Sequence, residues 1–226
     1  SGQGSHPFSK TREITSMHRS RAWRFRSTAE TSFHLALFLA VCCLATRVAA
    51  PAGEGTAEKE IRLRDVNGAL HAPLSETDKK ATVLFFLLPD CPISNAYAPE
   101  IRRICADYSA KKVAAFVVHA DPDVSPEQAK KHAKEYGLAV PVLLDPTHAV
   151  VRKTGATKAP EAVVVGPRGV LLYRGRIDDW YVDYGKRRVE PTRRDLRDAL
   201  DAVLKGKAVR LPWPPALGCD LPEMKH

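Results

Sequence analysis

The sequence predicts an α/β fold in which a central mixed β-sheet is flanked by helices and preceded by an extra strand and turn. Three observations carry that prediction. Two apolar runs of strand length, Thr82–Leu88 and Val113–His119, are separated by a segment of helical periodicity. Strand and helix alternate through the first half of the chain, which implies parallel pairing through right-handed crossovers. Near the end, Glu161–Val165 and Val170–Arg174 flank the turn residues Gly166-Pro167-Arg168-Gly169, so the sheet closes with a hairpin.

Residues 1–50 read as a leader with a signal peptide. Arg19, Arg21, Arg24 and Arg26 form a basic region, and Phe33 to Ala45 an apolar core too short to span a bilayer comfortably. Val48-Ala49-Ala50 supplies small residues for cleavage, and Met17 is a candidate for the true start. An uncleaved membrane anchor is the alternative; a lipoprotein route through Cys42 is disfavoured by the large Val41 before it. Cleavage implies a periplasmic or extracellular protein with no stable membrane insertion, in a compartment where disulfides persist. It also discards Cys42 and Cys43, leaving Cys91, Cys105 and Cys219, so at least one thiol is unpaired within the monomer. The formal charge of +9 is mostly leader: residues 1–50 hold seven Lys/Arg against Glu13 and Glu30. The modest excess that remains, without interleaved aromatics, does not point to nucleic acid.

Residues 51–60 are small and polar, a flexible lead-in. Ile61 to Asp65 alternates like a half-exposed strand, and Asn67-Gly68 is a tight-turn dipeptide. Thr82 to Leu88 is a buried strand closed by Pro89. Pro92 suits the first position of a helix, which makes Cys91 the N-cap. Its sulfur is then expected to face the backbone N–H groups of Ile93 and Ser94, at the helix end that favours an anion. On this reading Cys91 is a reactive thiol, since thiolates so placed titrate below ordinary cysteine; the plain alternative is an inert buried cysteine. The helix runs to about Ser109 with Ile101, Ile104, Cys105 and Tyr108 on one apolar face, and Pro99 bends it. That face explains Cys105 as a core residue.

Val113 to His119 is the next strand. Ser125 and Pro126 open a helix ending at Gly137, with His132 and Lys130 to Lys134 on a solvated surface. Val140 to Leu144 is a short strand and His148 to Lys153 a short helix. After the hairpin, Asp178-Asp179 and the aromatics that follow read as a polar loop. Thr192 to Leu204 is an amphipathic helix, its leucines at four-residue steps. The order β-α-β-α-β-α-β-β-α spans residues 61–205. The tail, 206–226, carries too many prolines to be helical, and its Trp and Leu residues suggest that it packs back on the body.

A family resemblance enters through Cys91-Pro92-Ile93-Ser94, which sits where thioredoxins carry Cys-x-x-Cys. Pro99 falls five residues after Ser94, as the helix-kinking proline does there. The chain therefore resembles a thioredoxin-like redoxin, of the broad superfamily that takes in peroxiredoxin-type and extracytoplasmic thiol–disulfide proteins. The resemblance implies the thioredoxin fold, makes Cys91 the counterpart of the nucleophilic cysteine, and makes Ser94 that of the missing resolving cysteine. Gly155 to Pro160 resembles the segment carrying the family's cis-proline. Base rates alone favour trans, so the resemblance is what implies a cis Pro160 lying against Cys91.

Three chemistries follow. In thiol–disulfide exchange, Cys91 attacks a disulfide and a second thiol or external reductant resolves the mixed disulfide. Cys219 is the internal candidate, delivered by a mobile tail; the alternative is a free or dimer-forming thiol there. In peroxide reduction Cys91 passes through a sulfenic acid. Peroxiredoxins typically place Thr or Ser where Leu88 stands, and of the arginine they need Arg152 and Arg174 are the candidates. Copper handling would draw on Cys91 with His119 or His148, a short ligand count. The expectation is an exported thiol–disulfide oxidoreductase acting through Cys91, its site shaped by Pro92, Ser94 and Pro160, with Cys219 resolving. It needs no cofactor or metal. Its partners are protein or small-molecule thiols and disulfides, with peroxide on the second reading.

Overall fold

The computed structural model describes residues 60–224. The expected leader and nearly all of the lead-in lie outside the described residues. No described helix is long and apolar enough to cross a membrane.

The chain enters as a two-stranded ribbon, β1 (Leu63–Arg64) against β2 (Leu70–His71). The strand is shorter than expected because the Asp65 carboxylate accepts the N–H groups of Asn67 and Ala69, turning the chain early. Gly68 supplies the positive φ that this turn requires. Next comes β3 (Ala81–Phe86), every residue of which is buried. Such a strand shows no polar alternation because both faces of its sheet are covered.

The helix α1 (Pro92–Ser109) follows, with Cys91 as N-cap, Pro92 in its first turn and Pro99 inside it. Then come β4 (Val113–His119), α2 (Pro126–Glu135), β5 (Val142–Leu144) and α3 (Ala149–Thr154). Ser125 and Gln128 close a full capping box at the head of α2, satisfying two otherwise orphaned amides. At the head of α3 the buried Asp145 carboxylate accepts the N–H groups of Ala149, Val150 and Val151. Then β6 (Lys158–Ala159), β7 (Glu161–Val165), a 3₁₀ turn (Pro167–Gly169) and β8 (Leu171–Gly175) complete the hairpin.

The five-stranded sheet has the order β5-β4-β3-β7-β8, parallel on the β4–β5 side of β3 and antiparallel on the β7–β8 side. Alternate residues of β3 feed two cores. Val83 and Phe85 pack with α1 and the last helix, α4 (Asp195–Leu204), on one face. Leu84 and Phe86 pack with Val150 and Leu63 on the other. Fully burying an aromatic of this kind contributes about 1.5–3 kcal/mol, so these positions anchor the fold.

Two features beyond β8 differ from expectation. The polar loop holds a hairpin, β9 (Tyr181–Asp183) with β10 (Lys186–Arg187). And α4 (Asp195–Leu204) begins three residues late. The Asp179 carboxylate takes the N–H groups of Thr192 and Arg193, which therefore serve the loop rather than a first helical turn. Burial opposes charge on Asp179, yet the Thr192 hydroxyl, those two N–H groups and nearby Arg188 hold its pKa down at about 2. Asp178 is likewise structural, accepting from the Tyr97 hydroxyl and the Trp180 N–H. Last comes β11 (Cys219–Asp220), which pairs antiparallel with β6.

Candidate active site at the head of the first helix

The turn that carries Cys91 is tied down from both sides. The Leu87 N–H continues the sheet to the Val118 carbonyl, and the Leu88 N–H reaches the Ser94 hydroxyl at 3.4 Å. Asn95 donates from its side chain to the Pro89 carbonyl at 2.8 Å. Ser94 is buried and serves to hold the loop between β3 and α1. Cys91 itself is 2% exposed, with extended backbone (φ −87°, ψ 111°) before the helical Pro92.

Cys91 is disulfide-bonded to Cys219, 128 residues later, with their Cα atoms 6.2 Å apart. This corrects the expected orientation of the sulfur: no N–H of the first helical turn donates to the Cys91 side chain. The sulfur is turned instead toward its partner and lies 3.3 Å from the Ala159 carbonyl oxygen. The Ala159–Pro160 bond is cis, so the proline loop and Cys91 do meet. Behind that loop, the buried Glu161 carboxylate accepts the N–H groups of Thr157 and Lys158, with the Arg174 guanidinium 3.8 Å away.

The tail is a seated strand rather than a mobile arm. Cys219 pairs with Ala159 and Asp220 with Lys158, and the Leu221 N–H donates to the Thr157 carbonyl. Lys158 and Asp220 form an ion pair at 2.6 Å, and the Tyr184 hydroxyl donates to the Gly218 carbonyl at 2.7 Å. Upstream, Trp213 packs near the Tyr173 ring and the Arg176 N–H donates to the Pro214 carbonyl. The physical reason is plain: backbone groups of residues 219–221 find their partners on residues 157–159, where a free tail would leave them to water.

Cys105 is a free, partly buried thiol whose pKa burial pushes up to about 11. It sits about 21 Å along α1 from Cys91, counting the helical rise, and takes no part in the site. Arg152 and Arg174 do not reach Cys91 either. Arg152 donates to the Thr147 carbonyl, and Arg174 to the Gly155 carbonyl and toward Glu161. His119 and His148 are each turned onto a backbone carbonyl, of Leu87 and Ala120. Among the described residues, no cluster of three or more His, Cys, Asp or Glu is placed to hold a metal ion.

One element of the surroundings escaped the sequence reading. His132, expected on a solvated face, is 5% exposed and stacks edge-on to His119, with ring centroids 5.1 Å apart. Its Nε2 meets the Asn95 side-chain oxygen, so the pair braces the Cys91 turn from behind. The signal was present: Ala129, His132, Ala133 and Tyr136 fall at i, i+3, i+4 and i+7. Burial lowers the His119 pKa to about 4, with the Leu87 carbonyl opposing and His132 reinforcing the shift. The unfolded chain then binds more protons than the native protein between about pH 6.5 and 4. Stability is therefore expected to fall on acidification through that window. In His119→Gln the decline should be shallower, read from urea unfolding at several pH values; an unchanged slope would clear His119 of the effect.

The sequence profile of the AhpC/TSA family matches residues 49–174. The chain belongs to the AhpC/TSA family. No curated protein matches it. Among solved structures, a hypothetical protein from Sinorhizobium meliloti 1021 is 28% identical, with a TM-score of 0.62 over 71% of this chain and 89% of that one. An uncharacterized conserved protein from Geobacillus kaustophilus is 29% identical, with a TM-score of 0.62 over 71% and 87%. A secreted disulfide oxidoreductase from Mycobacterium tuberculosis is 18% identical, with a TM-score of 0.45 over 65% and 96%. By its family match and its β5-β4-β3-β7-β8 sheet, this AhpC/TSA protein is a thioredoxin-like redoxin with the thioredoxin fold. Its family match includes Cys91 and Pro160 but stops short of α4 and the tail, so Cys219 comes from outside the shared core.

Proposed function

We propose that this redoxin is an exported thiol–disulfide oxidoreductase in which Cys91 attacks and Cys219 resolves. The observation that carries the reading is the Cys91–Cys219 bond at the head of α1, against the Pro160 loop. In the reductive direction the Cys91 thiolate bonds to one sulfur of a substrate disulfide, and the other sulfur leaves as a thiolate that takes a proton. The Cys219 thiolate then attacks Cys91 Sγ. The substrate's second thiol departs, and an external dithiol re-reduces the pair. In the oxidative direction each step reverses, and the protein disulfide accepts two electrons from two substrate thiols. The helix dipole favours Cys91 as the sulfur that carries negative charge in both directions. Cys219 belongs to the same chain, so its attack is intramolecular, and pairing of β11 with β6 seats it beside Cys91 as the disulfide closes. The leader's basic and apolar regions support export, where partners are protein or small-molecule thiols and disulfides.

Family membership favours peroxide reduction as the second reading. There Cys91 would take one oxygen from a peroxide, releasing an alcohol or water. Its sulfenic acid would then condense with Cys219 to the same disulfide, with loss of water. Leu88 and the remote arginines weigh against it.

The deciding experiment is alkylation of the reduced protein across pH, mapped by mass spectrometry, with parallel exposure to a peptide disulfide and to peroxide. The proposal expects Cys91 to alkylate fastest and to form a mixed disulfide with the peptide. Rapid sulfenic acid at Cys91 with no peptide adduct would move the assignment to peroxide reduction. Slow alkylation of Cys91 at every pH would remove both.

A further inference from the structure

The Cys91–Cys219 bond has the chemical form of a mixed disulfide between Cys91 and a cysteine-bearing peptide, here supplied by the chain's own tail. Each contact that seats residues 218–221 is one that a separate polypeptide could make. Three are blind to sequence: the pairing of Cys219 with Ala159, the Leu221 N–H to the Thr157 carbonyl, and the Tyr184 hydroxyl to the Gly218 carbonyl. The others select. A Cβ on Gly218 would collide with the Ala159 carbonyl, which is backbone and cannot swing aside. Asp220 is held by Lys158, and Leu221 packs against both hydrophobic cores.

We infer that residues 218–221 occupy the substrate's seat, and that the preferred substrates are extended polypeptide segments reading glycine, cysteine, acidic residue, aliphatic residue. This rests on the reading of Cys91 as the reacting sulfur and extends it to the substrate class. Tail and substrate then compete for one sheet edge, that of β6, and reduction of the disulfide opens the competition. The occupant is a main chain in extended form, since the edge offers amide and carbonyl groups in strand register.

The test uses the full chain carrying Cys219→Ser, reduced, and peptides whose cysteine is joined to thionitrobenzoate. The Cys91 thiolate bonds to the peptide sulfur, the peptide–thionitrobenzoate bond breaks, and coloured thionitrobenzoate leaves. Four peptides are compared, built on Gly-Cys-Asp-Leu, Val-Cys-Asp-Leu, Gly-Cys-Lys-Leu and Gly-Cys-Asp-Ser. The first should react fastest. Valine before the cysteine should slow the reaction roughly tenfold, the usual scale of an overpacked contact. Lysine after it should slow the reaction roughly threefold, as befits an exposed ion pair. In Lys158→Glu the aspartate–lysine order should invert. In Cys219→Ser with Gly218→Ala the tail is unseated, so the Gly-Cys-Asp-Leu peptide should react faster relative to the symmetric thionitrobenzoate disulfide. Circular dichroism confirms that each variant folds.

Equal rates for the four peptides within twofold, or an order unmoved by Lys158→Glu, would overturn the inference while leaving Cys91 as nucleophile. A Cys91 that reacts with neither peptide nor the small symmetric disulfide would instead overturn the functional reading beneath it.

Discussion

Cys91→Ser is expected to reduce thiol–disulfide exchange to the uncatalysed level, a loss of about a thousandfold or more, because a serine hydroxyl cannot replace the thiolate. Cys219→Ser should behave differently. It keeps the attacking sulfur, so a stoichiometric mixed disulfide forms on Cys91 and then waits for an external thiol. Single-turnover and steady-state rates against a peptide disulfide distinguish the two variants. Equal loss in both would mean that Cys219 does more than resolve. Retained turnover in Cys91→Ser would place the chemistry elsewhere.

The second large effect is on stability. The disulfide links residues 128 apart in sequence. Cross-linking over such a distance removes freedom from the unfolded chain worth about 5 kcal/mol. Reduction of the wild type should lower the melting temperature by roughly 10–20 °C, at the 2–4 °C per kcal/mol typical of domains this size. Cys91→Ser and Cys219→Ser should each cost the same amount, and the double variant no more, since all three delete one bond. Thermal unfolding with and without reductant checks this; a shift under about 2 °C would show that the tail's other contacts hold it without the disulfide.

Much of this protein is legible in its residues because the signals are local. An all-apolar run such as Thr82–Leu88 can be satisfied only in the middle of a sheet. Pro92 after Cys91 fixes a helix start, and Ser125 followed by Pro126 marks the next one. What local pattern missed was held by contacts distant in sequence. His132 looked solvated because lysines flank it, and its burial depends on His119 arriving from β4. Asp179 looked like a loop acid, yet its carboxylate decides where α4 starts by taking amides thirteen and fourteen residues on. The tail is the clearest case. Its Trp and Leu residues suggested packing on the body, as Trp213 and Leu221 do, but its prolines and lone cysteine suggested a mobile arm at the site, because nothing within residues 206–226 announces that Lys158 and Ala159 offer an open edge. The orientation of Cys91 went astray for the same reason: an N-cap sulfur with no partner would face the helix amides, and the partner lies at the other end of the chain.

The outermost strand β8 has a further consequence. An uncovered strand at the border of a sheet invites another molecule to add to it, and proteins commonly guard against such self-association. Here the border continues into Arg176, whose N–H is taken by Pro214, within a stretch that includes Pro212, Pro214 and Pro215. Prolines have no amide hydrogen to offer a newcomer. The segment that carries Cys219 thus also takes an amide just beyond β8, so one stretch of chain serves both the thiol pair and the border of the sheet.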